Sequence, residues 1–155
     1  MEYCASFRVT QITEYRKARK FMTRREAREA LFSLLFETEF HPEEDTAAIF
    51  AVSCEERELI PNDYIKNNYR GIQEHKAELD EKIAAHAHGW KTERLTRVSR
   101  SILRLAAYEM LYCEDIPASV SLNEAIELAK KFEDEKARPF INGVLNGIKT
   151  ELGKA

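Results

Sequence analysis

Glycine and proline are scarce in this chain, at five and four among 155 residues. With so few breakers and no sustained apolar–polar alternation, a fold of many short strands and tight turns is excluded. There is no internal repeat. Cysteine is scarcer still. Cys4, Cys54 and Cys113 are odd in number and far apart, which excludes a disulfide framework and a CxxC metal site and suits the reduced thiols of a cytoplasmic protein. No run approaches the ~18 apolar residues of a membrane span. The first 21 residues lack the apolar core and small-residue cleavage site of a secretory signal.

The sequence motifs of common chemistries are absent as well. There is no Gly-rich phosphate loop, no GxSxG and no HExxH. His86 and His88 stand two apart, and such residues do not share a helix face, so exposed imidazoles are expected there rather than a metal site. Glu109, Glu124 and Glu127 suggest a carboxylate site, but no nucleophile lies near them in sequence. An enzymic reading is therefore poor. No catalytic residue, metal or cofactor is assigned.

What is present suits one soluble domain: 44% apolar and 33% charged residues, in a chain long enough to bury a core. The net charge of −3 is unevenly placed. Residues 1–28 hold eight Lys or Arg against three acids, a net of +5, so the remainder carries −8. A basic end on an acidic body points to local contact with a polyanion, with a solvated charged tail as the bland alternative.

The apolar spacing predicts helices nearly throughout. From Thr23, the residues Ala27, Ala30, Leu31, Leu34 and Leu35 make a core-facing stripe. Pro42 reads as the first position of a second helix. Asn62 or Asp63 caps a long third one, with Gly71 inside it costing about 1 kcal/mol relative to Ala. The segment "RVSRSILRLAAYEMLYC" is apolar around much of its circumference, as expected of a central helix. Ser121 and Glu124 stand at capping-box spacing before "LNEAIELAKKF". Pro139 opens a last helix. A shared core of Ile102, Leu105, Tyr108, Leu122, Ile126, Ala129, Val144 and Leu145 is predicted.

"RREAREALFSLLF", then "SRSILRLAAYEMLYCEDIPASVSLNEAIELAKKF" and "FINGVLNGI", closely resemble the NusB family of bacterial transcription antitermination factors. The match runs from about Thr23 to Leu152. It is strongest in the first helix and in 98–148. The order ILR, YE, IP, NEAIELAK, NGVL carries it. The resemblance implies an all-α fold of two packed small helical bundles, about seven helices in all. It also implies binding to the boxA element of nascent ribosomal RNA together with NusE, a small-subunit ribosomal protein, within an RNA polymerase antitermination complex. It implies no catalysis and no cofactor.

This resemblance gives the basic residues candidate roles. Arg24, Arg25 and Arg28 crowd a helix start where the macrodipole disfavours cations. RNA phosphate can supply the missing negative charge. Arg25 and Arg28 share a face with Phe32 and Phe36, and rings beside cations hold unstacked bases. Phe32 and Phe36 are also open to a core role. Arg97, Arg100 and Arg104 form a second stripe, in which Arg104 also suits a structural bridge. Lys136 and Phe140 are candidates at a third position, the turn before the last helix. Glu93 and Glu109 are candidate contacts for NusE, a basic protein suited to an acidic body.

The chain departs from the family pattern at Phe36, often Tyr there, at Glu133, often Gly, and at Pro139. The turn before Phe140 is expected to differ accordingly. Residues 1–21 have no counterpart and are read as an extension, mobile or helical, from an upstream start and dispensable for folding; residues 22–155 form the NusB-like domain. A second reading is a homodimeric scaffold in ribosome biogenesis, separable from the first by gel filtration. A third reading, the NusB-like domain of an RNA cytosine methyltransferase, is nearly excluded, since 155 residues leave no room for a cofactor-binding α/β domain.

Overall fold

A computed structural model describes residues 22–88 and 94–154. The expectations for residues 1–21 and for Glu93 lie outside the described residues. Among the described residues, seven helices run in order: α1 Arg24–Thr38, α2 Thr46–Glu56, α3 Asp63–Glu74, α4 Lys76–Ala85, α5 Arg97–Tyr112, α6 Ala118–Phe132 and α7 Ala137–Glu151. There is no strand among the described residues. Among the described residues, no helix is long and apolar enough to cross a membrane. Helices α1, α2 and α3 pack as one bundle and α4 to α7 as another, with α5 touching α1, α3, α4, α6 and α7.

The all-round apolar pattern of α5 has its explanation here. Ten of its residues are buried, among them Ile102, Leu103, Leu105 and Met110. They meet Leu31 and Leu34 of α1, Ile65 and Ile72 of α3, Leu79 and Ile83 of α4, and Ile141 and Leu145 of α7 in one continuous core. Tyr108 and Ile126 are only half-buried, so the predicted core is correct in six of its eight members.

Local chemistry sets the helix starts. Thr23, Asp45, Asn62 and Thr96 each accept a backbone N–H of the first turn on a side-chain oxygen, as N-caps do. The second helix therefore begins at Thr46, capped by Asp45, and Pro42 stays in the preceding turn. The third predicted helix is two: His75, at φ −103° and ψ 16°, ends α3 and starts α4. Gly71 faces α5 at close range. A Cβ there would lie 2.0 Å from Tyr108 Oη, so only glycine permits this approach.

Two further boundaries differ from the sequence reading. Helix α6 starts at Ala118, behind Pro117, with no side-chain cap. Ser121 is thus inside the helix, and its hydroxyl donates to Glu109 instead of capping. Helix α7 starts at Ala137, which puts Pro139 in the first turn, where its missing N–H has no helical partner to lose.

Candidate nucleic-acid interface

The arginines predicted to face outward divide into buried and exposed groups. Arg28 is 3% exposed and Glu109 1% exposed. Arg28 donates from Nε and Nη2 to the two Glu109 oxygens at 2.8 and 3.0 Å. The same carboxylate receives the Tyr64 hydroxyl at 2.7 Å and the Ser121 hydroxyl at 3.0 Å. Burial, then the Glu109 charge, pushes the Tyr64 hydroxyl far up, so it stays a donor. Arg28 as an RNA contact and Glu109 as a partner contact are both corrected: two charges that satisfy each other inside the protein cannot meet a ligand.

The second stripe behaves similarly. Arg104 is buried, donating to both Asp80 oxygens at 2.7 and 2.8 Å and to Glu39. Its candidate RNA role is corrected in favour of the structural bridge. Arg100 is half-buried, donating to Glu39 at 2.9 Å and to the Leu95 carbonyl at 3.1 Å. Arg97 alone of the three is exposed, its guanidinium 4.5 Å from the centre of the Phe40 ring.

At the start of α1 the cations are exposed but laced with acid. Arg25 chelates Glu124 at 2.9 and 3.1 Å while its side chain stays 68% exposed. Lys131 pairs with Glu29 and Lys130 with Glu127 around the same shallow groove. Arg24 lies over the Tyr64 ring at 4.5 Å. A surface on which Arg25, Lys130 and Lys131 each face a carboxylate attracts a polyanion weakly.

The opposite end of α1 is different. Phe32, Phe36 and Phe40 follow one another at i, i+4 and i+8, with ring centres 6.2 and 5.1 Å apart. Phe132, at the end of α6, joins Phe32 at 4.9 Å. Phe32 is buried, Phe36 half-buried, and Phe40 and Phe132 are 50% and 38% exposed. Arg97 covers one end of this row and the Lys131 ammonium lies 5.5 Å from the Phe132 ring.

An open groove of about 570 Å³ adjoins the row, between the start of α5 and the turn joining α6 to α7. Thr96, Ser99, Glu133, Lys136, Pro139 and Phe140 line it. The structure thus brings Lys136 and Phe140 together, next to the α5 terminus that carries Arg97. Glu133 is extended, at φ −123° and ψ 164°, so no left-handed residue is needed where the family often has glycine. Sequence reasoning missed Phe40, Phe132 and Thr96. The i, i+4, i+8 phenylalanine spacing was a usable signal for Phe40. Nothing local pointed to Phe132, which meets α1 only through the fold. Among the described residues, no cluster of His, Cys, Asp or Glu is placed to hold a metal ion.

Fold and face together define a class: an all-α protein of two packed bundles that presents a row of rings and cations beside an open groove. The family model described as the NusB family matches residues 24–150. The Transcription antitermination protein NusB of Bacillus subtilis is 46% identical over 131 residues, covering 84% of this chain and 98% of that protein. The protein of the same name from Clostridium botulinum is 45% identical, covering 80% and 97%. Among solved structures, T. maritima NusB superposes with a TM-score of 0.73 at 37% identity, covering 83% of this chain and 92% of that one. A crystal structure of antitermination factors NusB and NusE in complex with dsRNA gives 0.73 at 29% identity, covering 83% and 96%. The chain belongs to the NusB family of transcription antitermination proteins.

Proposed function

We propose that this chain binds the boxA RNA of nascent ribosomal transcripts together with NusE, in the cytoplasm, and joins an RNA polymerase complex that suppresses termination. Family membership supports the role, and the similar chain solved with NusE and RNA supports the partners. The observation that carries the site is the row Phe132–Phe32–Phe36–Phe40 beside the groove of Lys136 and Phe140. Rings of this kind stack on unpaired bases, and Arg97 and Lys136 meet phosphate. Arg24, Arg25 and Arg100 contribute charge at the margins. The chain acts by non-covalent assembly, without catalysis. The test is a binding assay with boxA-like and scrambled single-stranded RNA, with and without NusE. Preference for the boxA-like RNA that NusE strengthens is expected; equal weak binding to both, unaffected by NusE, would remove the reading.

A further inference from the structure

Glu133 ends α6 with extended backbone, which carries its side chain across to the first turn of α5. One carboxylate oxygen receives the Thr96 and Ser99 hydroxyls, the latter at 2.8 Å. The other receives the Asp134 N–H at 3.1 Å. Burial opposes the charge, but the Thr96, Asp134 and Ser99 donors hold the carboxyl below its usual range, so it is ionised at neutral pH. Two of these donors, the Thr96 and Ser99 hydroxyls at the start of α5, are groups of the kind that proteins also use to hold nucleic-acid phosphate, while the Asp134 N–H belongs to the turn after α6. An anion already sits on them, and that anion is the protein's own. It sits in the wall of the groove that holds Lys136 and Phe140.

Resting on the RNA-binding reading above, we infer that Glu133 is an internal competitor of the RNA backbone, occupying the phosphate position at the start of α5 and thereby setting the affinity of the groove. RNA that enters must turn this carboxylate out or pass it at a distance where screening is incomplete. Either route lowers affinity for all RNA and leaves base contacts to decide which RNA is held. The helix does not need Glu133 for its own cap. Thr96 Oγ1 accepts the Ser99 N–H at 3.0 Å independently, so neutralising Glu133 leaves α5 intact.

The experiment compares the full chain with Glu133→Gln and Glu133→Ala, using a fluorescent boxA-like single-stranded RNA and its scrambled form across a salt series. Both variants are expected to bind each RNA about three- to tenfold more tightly, as removal of one unfavourable charge beside a phosphate predicts. The salt slope should steepen by about 0.7, the value for one further single-strand phosphate held by the protein. Adding Thr96→Val to Glu133→Gln should abolish the tighter binding, with melting temperature confirming the fold. Unchanged or weaker binding by both variants, while the parent binds RNA, overturns the inference alone. If neither the parent nor the variants bind RNA, with or without NusE, the RNA-binding reading falls and takes the inference with it.

Discussion

Arg28 of α1 and Glu109 of α5, 81 positions apart, are joined by two parallel hydrogen bonds inside the protein. Tyr64 of α3 and Ser121 of α6 fill the remaining acceptor positions of the same carboxylate. Four helices from both bundles therefore converge on one charge.

Breaking this pair strands a buried charge: without Arg28, Glu109 keeps the Tyr64 and Ser121 hydroxyls, and without Glu109, Arg28 keeps Glu124 at 3.7 Å. Arg28→Ala or Glu109→Ala should destabilise the fold by about 3–5 kcal/mol. Arg25→Ala, which breaks an exposed pair with Glu124, should cost about 1 kcal/mol or less. Urea denaturation of the three variants checks the ranking. An Arg28 variant as stable as the Arg25 variant would contradict the buried geometry.

The same contrast shows what local sequence carries and what it does not. The first turn of α1 reads as a basic face because spacing alone cannot reveal that the partner of Arg28 lies in α5. Arg104 is hidden by Asp80 of α4 and Glu39 beyond α1 for the same reason. By contrast, the burial of Ile102, Leu105 and Val144 followed from helical periodicity, a property of the segment itself. Ser121 and Glu124 match a capping box by spacing, yet both are drawn into tertiary pairs with Glu109 and Arg25. Lys136 and Phe140 were legible as neighbours in sequence; the phenylalanine row beside their groove required α1 and α6 to meet.

Gly71 allows α3 to lie against Tyr108. Gly71→Ala should gain about 1 kcal/mol of helix propensity and lose more through overpacking, which typically costs about 1–3 kcal/mol. The ring atoms at 2.4 and 2.7 Å would clash as well as the hydroxyl. Tyr108→Leu in the Gly71→Ala background should recover most of the loss, whereas Tyr108→Phe should recover little. Thermal melts of the four proteins decide, and a Gly71→Ala protein that melts higher than the parent would show that Tyr108 simply swings away.

Glu39 sets an acid limit on stability. Burial alone would raise its carboxyl, but Arg104, Lys76 and Arg100 together hold it below the ordinary range. A depressed folded value means that the stabilisation is fully present above the unfolded value, about 4.3. It is lost as pH falls through the folded value. Glu39→Gln should therefore flatten the stability profile below about pH 4.3 and lower the plateau at neutral pH. Denaturation midpoints between pH 2 and 7 test this; an unchanged acid limb would mean that other carboxylates dominate it.

The last expectation separates the two ends of α1. If RNA lies along the phenylalanine row and the adjoining groove, Arg97→Ala and Lys136→Ala should each weaken binding to boxA-like and scrambled RNA alike. Each should also reduce the salt slope by about 0.7, the value for one single-strand phosphate no longer held. Phe40→Ala removes a ring that is half exposed. It should cost about 1–3 kcal/mol of binding if the ring stacks on a base, with little loss of stability. Phe32→Ala removes a buried ring instead, and should cost about 3–5 kcal/mol of folding. Arg25→Ala should change RNA binding least, because Glu124 already neutralises that guanidinium. Affinity and melting temperature measured on the same five proteins give the answer. A larger binding loss for Arg25→Ala than for Arg97→Ala or Lys136→Ala would move the RNA back to the basic start of α1.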